Sequence, residues 1–345
     1  MKIRFFPILL LTGVLFGGVC SSDSIRSVPS DSLLDTALVC LITQQYDAAR
    51  KLLATDTAMT PLNVRKRYLS FAVEQTRILD YESYMVEQKQ FQGYADSLRP
   101  WFEAALPKLS GDDSTKCLFY LANLYGGISV MQAKTGRIFD GMKNAVTSIS
   151  LLKLVKKRDS TFMAADLGIG IFDYYLSTSF KWLPFVENRT QEGLDAIERA
   201  LSADFPYNYA AKNSYCWILI DRQEFRHADS IAQSVLDEYP DNTIFLRIKA
   251  MIALWTGKYP QALELGKQLI AISEKRQPQN WSDLVAGYTI LVKGYSETGR
   301  DGEACSAASA MLSRKIPHSH LEIPHVKKNM KNITAVAQKC RKGRR

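Results

Sequence analysis

Between Tyr209 and Ala271 one pattern of apolar and small residues occurs twice. In the first copy Phe225, Ala228, Ala232 and Val235 follow one another at steps of three and four, and Pro240 closes the run. Thirty-four residues on, Tyr259, Ala262, Gly266 and Leu269 stand at the equivalent positions. Steps of three and four place these residues on one face of a helix. Ala250 in the preceding helix faces Ala262, and Cys216 faces Ala228, so small residues fall where two helices approach closely. Weaker copies flank this core. Ser32 to Leu53 reads as a helical hairpin turning at Gln45-Tyr46-Asp47-Ala48-Ala49, with Pro61 beyond it. Leu62 to Leu109 is helical by periodicity, with Pro100 and Pro107 as breaks. Ser110-Gly111-Asp112-Asp113 caps a helix running to about Ala133, and its partner, Ile138 to Val155, ends in Lys156-Lys157-Arg158. Met163 to Leu176 is a helix rich in small and aromatic residues, in which close packing explains Gly168 and Gly170. An apolar insert with Trp182, Leu183 and Phe185 follows, then a capping box, Asn188-Arg189-Thr190-Gln191, opens a helix with Gly193, Ala196 and Ala200. The last hairpin, Val285 to Leu312, carries Tyr295, Gly299, Ala304 and Ala308. Alternating β patterns are scarce, so the chain reads as nearly all α.

A helix-turn-helix unit at this interval resembles the tetratricopeptide (TPR) repeat. The turn Trp255-Thr256-Gly257-Lys258-Tyr259 and the Pro240-Asp241-Asn242 close carry the likeness. Residues 160–265 are also similar to a divergent group of TPR proteins that includes bacterial envelope proteins. The resemblance implies a right-handed superhelix of antiparallel helix-turn-helix repeats, because a lone hairpin would leave an apolar stripe in water. It further implies that the first helix of each unit lines a partner-binding groove. Transferred here, that groove presents Asn213, Trp217, Ile220, Asp221, Arg247, Met251, Leu254 and Trp255, continuing to Thr289 and Lys293. Large aromatics beside a few polar groups have the make-up of a binding hot spot, and the same aromatics are suited to sealing adjacent repeats. The insert residues Trp182, Leu183 and Phe185 either plug the groove or anchor a partner or membrane.

Met1 to Val19 has the form of an export signal: Lys2 and Arg4, then the apolar Phe5 to Phe16, then small residues for cleavage. Lipidation at Cys20 is the less favoured outcome, since Val19 and Gly17 fit a lipoprotein signal poorly. The expected location is the periplasm or cell envelope. The expected divisions are 1–20 signal peptide, 21–31 flexible lead, 32–109 N-terminal helical region with a degenerate repeat, 110–313 repeat superhelix and 314–345 basic tail. Ten Lys or Arg against the single acid Glu322 give 314–345 the whole formal charge of +9, while the rest holds 34 basic and 34 acidic groups. Lys339, Arg341, Lys342, Arg344 and Arg345 therefore form either a handle for anionic lipid, cell wall or an acidic protein, or a solvated terminus. No aromatic interleaves this cluster, and nucleic acid is not expected as a partner.

No CxxC pair occurs, which excludes a zinc ribbon or thioredoxin-like motif. Cys40, Cys117, Cys216 and Cys305 sit among apolar or small residues and read as core, with a Cys305–Cys340 bridge open to an oxidising compartment. His318, His320, Glu322 and His325 lie in a Pro-bounded, basic segment that would repel a cation, so no metal and no cofactor are expected. No nucleophile elbow, HExxH or phosphate loop is present, and no catalytic residue is expected. Asn188, Asn280 and Asn332 open glycosylation sequons. The sequence points to an exported, non-catalytic α-helical scaffold for a protein or peptide. The alternative is an envelope-surface binder using the basic tail and the apolar insert.

Overall fold

The computed structural model describes residues 30–54, 57–179, 187–202 and 208–342. The signal-like segment with Cys20, the insert residues Trp182, Leu183 and Phe185, and Arg344 and Arg345 lie outside these residues. The described residues fold as helices and turns without strands. In order, the helices are α1 Ser30–Ile42, α2 Tyr46–Leu52, α3 Pro61–Asp80, α4 Tyr84–Ala105, α5 Gly111–Lys134 and α6 Ile138–Arg158. Next come α7 Met163–Ser179, α8 Thr190–Ser202, α9 Asn208–Asp221, α10 Phe225–Leu236 and α11 Thr243–Trp255. The series ends with α12 Tyr259–Lys275, α13 Trp281–Glu297, α14 Asp301–Leu312, α15 His318–Leu321 and α16 Pro324–Lys342. They form two compact units. The first comprises the described residues to Arg77 with Glu87–Tyr215, and the second Ile78–Val86 with Cys216 onward.

One turn repeats through both units. Gln45, Ser83, Arg137, Glu224, Lys258 and Arg300 each donate a backbone N–H to the carbonyl five residues back, at 2.7 to 3.0 Å. The residue before each donor is left-handed: Gln44, Glu82, Gly136, Gln223, Gly257 and Gly299, with φ between 51° and 84°. This six-to-one bond satisfies carbonyls that a helix end leaves orphaned, and it reverses the chain into an antiparallel partner. Glycine adopts that conformation without cost, whereas a side chain at Cβ is strained there. Gln223→Gly is therefore expected to stabilise the protein by about 1 kcal/mol, read as a raised melting temperature, and Gly257→Gln to do the reverse.

In the first unit α1 packs on α2, α5 on α6, α6 on α7 and α7 on α8. Phe71 of α3 meets Phe91 of α4 with ring centroids 5.2 Å apart, and Tyr68 stacks on Tyr120 of α5 at 4.4 Å. Pro100 does not break its helix as the sequence reading expected. It lies inside α4 on the exposed side, where water can take the carbonyl it leaves without a donor, while Leu98, Phe102 and Ala105 anchor the helix in the core. At Gly170 and Gly193 the backbones of α7 and α8 approach closely. A Cβ at Gly170 would stand 2.5 Å from the Gly193 carbonyl, and one at Gly193 would stand 2.7 Å from the Gly170 carbonyl. Asn188 accepts the Thr190 N–H at 3.3 Å, but Gln191 turns to Asp195 at 2.8 Å, so the expected reciprocal capping box is not made.

In the second unit α10, α11, α12, α13 and α14 pack in sequence, and α11 also packs on α13, the helix two places on. Every residue of α13 from Ser282 to Val292 is buried, which suits a helix apolar nearly all round. Asn242 and Asn280 start α11 and α13 by accepting the N–H of Phe245 at 3.2 Å and of Asp283 at 3.1 Å. Asn280 is fully buried, so its sequon is closed to modification in the folded chain.

The basic C terminus is a helix as far as Lys342. Ile323, Val326, Ile333 and Ala337 are buried at helical spacing, and α16 packs through that face on α13 and α14. Cys340 near its end is bridged to Cys305 of α14, with Cα atoms 5.9 Å apart. Lys339 and Arg341 point outward on the exposed face. Cys40, Cys117 and Cys216 are buried thiols outside this bridge, and burial pushes the Cys117 thiol up to about 11. Alkylation of the unreduced, denatured protein should therefore label these three and spare Cys305 and Cys340, with mass mapping as the readout.

Candidate binding face and internal ion cluster

The α11 helix buries Ile244, Phe245, Leu246, Ile248, Ala250, Ile252 and Ala253, and even Lys249 is buried, paired with Asp229 of α10 at 2.8 Å. The residues of α11 that escape burial are Arg247, Met251, Leu254 and Trp255. Their steps of four, three and one make a single stripe on the helix. Trp217 and Ile220 of α9 are half-buried and Asp221 is exposed, at positions 34 residues before Met251, Leu254 and Trp255. Asn213, at the matching position before Arg247, is half-buried and belongs to the part of α9 counted with the first unit. Trp255 also leans on Phe225, with ring centroids 6.2 Å apart, so part of this indole seals α11 against α10. The stripe does not continue evenly along α13. Lys293 is exposed, but Thr289 is buried and donates its hydroxyl to the Val285 carbonyl at 2.7 Å.

Arg247 has a second commitment, within an ion cluster of the second unit. Its guanidinium lies 3.1 Å from both Glu82 and Asp283, and its side chain is largely covered. Arg276, at the end of α12, reaches Asp80 at 2.8 Å, donates to the Thr243 hydroxyl at 3.2 Å and stacks over the Tyr81 ring at 4.8 Å. Asn280 links the two acids, donating to Asp283 at 2.9 Å and to the Asp80 backbone carbonyl at 3.3 Å. The His325 ring nitrogen Nδ1 bonds the Glu82 carboxylate. Three carboxylates thus face two guanidiniums, with the histidine at the edge.

Electrostatics assign the protons. Burial lowers the Arg247 affinity for its proton, but Asp283, Glu82 and Asp80 outweigh that and raise it above the ordinary value. Arg247 therefore stays charged. Asp283 is the group that yields: burial, helped by the neighbouring Asp80, pushes its carboxyl up to about 6, and Arg247 and Arg276 offset this only in part. An arrangement of paired guanidiniums and a capping asparagine is suited to fixing the start of α13 and the turn at Tyr81–Ser83. Among the described residues, no group of His, Cys, Asp and Glu is placed to hold a metal ion.

Sequence reasoning placed Arg247 in the groove and missed its partners. Asp80 lies 196 residues before Arg276, and no local pattern marks such a pairing. The lone signal was the Asn280-Trp281-Ser282-Asp283 start of α13, which has the spacing of an N-cap and its acid.

No protein-family model matches the chain, and no curated protein matches it. Among solved structures it is similar to a tetratricopeptide repeat protein from Parabacteroides merdae, with 11% identity, a TM-score of 0.39, and 88% of this chain and 98% of that one covered. It is also similar to the TPR domain of P58(IPK), with 12% identity, a TM-score of 0.26, and 90% and 99% covered. At those scores the likeness carries no argument about the site. The architecture rests on the chain's own consecutive helix pairs, their common turn and the packing of α11 on α13. This is an all-α, divergent TPR-like protein.

Proposed function

We propose that the protein is an exported, non-catalytic scaffold that binds a protein or peptide partner through the stripe of α11 and its α9 counterpart. The observation that carries this reading is the selectivity of burial on α11. A helix otherwise packed on three neighbours leaves Met251, Leu254 and Trp255 only half-buried, large apolar side chains whose remaining surface a partner could cover. Acidic Asp221 and the free end of Lys293 would bracket them with charge. Export to the periplasm or envelope is supported by the signal-like first 19 residues and by a Cys305–Cys340 bridge, which persists in oxidising compartments. Affinity purification from the native cells, with wild type compared against Met251→Ser and Trp217→Ala, tests the reading. A stoichiometric protein retained by wild type and lost from both variants supports it, and identical recoveries contradict it.

A second reading, contact with an anionic envelope surface through the basic terminus, has its own observation. Lys328, Lys331, Lys339 and Arg341 are exposed on α16, and residues 323–345 contain no acid. Salt-sensitive association with envelope membranes that is lost on Lys328→Gln, Lys331→Gln and Lys339→Gln together would favour it.

A further inference from the structure

The outer face of α6 carries a pattern that the scaffold reading does not use. Its inner face is buried through Gly141, Ala145, Ser148, Ile149, Leu152 and Val155, and packs on α5 and α7. On the opposite side Phe139, Val146 and Leu154 are 91%, 52% and 38% exposed. A phenylalanine ring left almost wholly in water forfeits the stabilisation that burial would give, so an exposed row of this kind needs an explanation. Lys143, Lys153 and Lys157 are exposed on the same face, at helical steps between and beyond the apolar residues. Among the described residues none of the three makes a close salt bridge, and Lys153 alone lies near enough to an acid, Asp173 of α7, to favour its charged form. The nearest acid on the helix, Asp140, is taken by Arg137 at 2.7 Å. From Phe139 to Lys157 the stripe runs for about 27 Å at the helical rise, a face of cations and apolar groups with Ser150 between them and no acid of its own.

We propose that this face of α6 is a membrane-docking surface for anionic phospholipid. The chemistry that selects this occupant is the alternation itself. Apolar side chains on such a helix enter the boundary between headgroups and acyl chains, while the long lysine stems carry their ammonium groups up to the phosphates. A purely electrostatic site has no use for an exposed phenylalanine, and an ordinary apolar protein interface is depleted of lysine. The docking is distinct from the partner stripe of α11, and it requires no part of α16.

Vesicle flotation with the mature protein tests the assignment, comparing vesicles of phosphatidylcholine alone with vesicles containing phosphatidylglycerol at a fixed fraction. Binding is expected with phosphatidylglycerol only. It should weaken at least tenfold in the combined variant Lys143→Gln, Lys153→Gln and Lys157→Gln, and also in Phe139→Ser. A single Phe139→Trp reporter should shift its emission to the blue on those vesicles, which a protein-binding face would not produce. Circular dichroism of each variant establishes that the surface changes leave the fold intact. Absence of binding to either vesicle overturns the proposal. So does binding that survives the α6 changes but is lost with Lys328→Gln, Lys331→Gln and Lys339→Gln, which would assign the contact to α16. A protein adduct at Phe139 with no lipid binding would overturn it in favour of a protein partner.

Discussion

Replacing Gly193 by alanine is expected to destabilise the first unit by about 3 kcal/mol or more. The added methyl would lie 2.7 Å from the Gly170 carbonyl oxygen and 2.8 Å from the Tyr174 backbone nitrogen. Both are backbone atoms of α7, so no side chain can rotate away and the helices must separate. Separation exposes Tyr174, Ile197 and Ala200, which the crossing now buries. Gly170→Ala should act in the same way, because its methyl meets the Gly193 carbonyl at 2.5 Å. Gly93 supplies the control within the same unit. It lies in the middle of α4 with nothing near its missing Cβ, so Gly93→Ala should stabilise by up to about 1 kcal/mol through helix propensity. Urea unfolding followed by helical signal measures all three. A Gly193→Ala protein as stable as wild type would mean that α7 and α8 do not cross as described.

Arg276→Met is expected to cost about 3 to 5 kcal/mol at neutral pH, in the second unit. Methionine keeps much of the stem but removes the guanidinium that meets Asp80 and faces Asp283, leaving two buried carboxylates with half their compensation. The loss should shrink in acid, and its direction is fixed. The Asp283 carboxyl holds its proton up to about pH 6 in the folded chain, above the ordinary 3.8. A group raised in this way contributes stability that is complete below about pH 4 and is lost as pH rises through about 6. Asp283→Asn removes this dependence, so the stability of wild type relative to that variant should fall between pH 4 and 7. In Arg276→Met the same fall should move to higher pH, since one of the two cations that lower the Asp283 value is gone. Thermal melts across that pH range decide the matter, and parallel curves for wild type and Asp283→Asn would contradict the assignment.

What the chain revealed in advance was local. Phe225 and Tyr259 stand 34 residues apart with the same small residues behind them, and the hairpins α9–α10 and α11–α12 follow from that spacing. The turns at Gly257 and Gly299 were readable because glycine announces a left-handed residue. Gln44, Glu82 and Gln223 adopt the same conformation without any such mark. For that reason Leu62 to Leu109 reads as helix broken at prolines, whereas the reversal lies at Tyr81–Ser83 and Pro100 is carried inside α4. At the C terminus the density of Lys and Arg drew attention away from Val326, Ile333 and Ala337, whose spacing docks α16. The stripe on α11 was legible because one helix contains it. Its ion cluster was not, because Asp80, Arg276 and Asp283 meet only after the chain has folded.

The accessible face of α11 is most directly tested by photo-crosslinking in the native cells, with the reactive residue at Met251 and a second protein carrying it at the buried Ala250 as the control. One dominant protein adduct from Met251, absent from the control and reduced by Trp217→Ala, is the predicted result. A folded, exported protein that yields no adduct from Met251 would contradict the scaffold account.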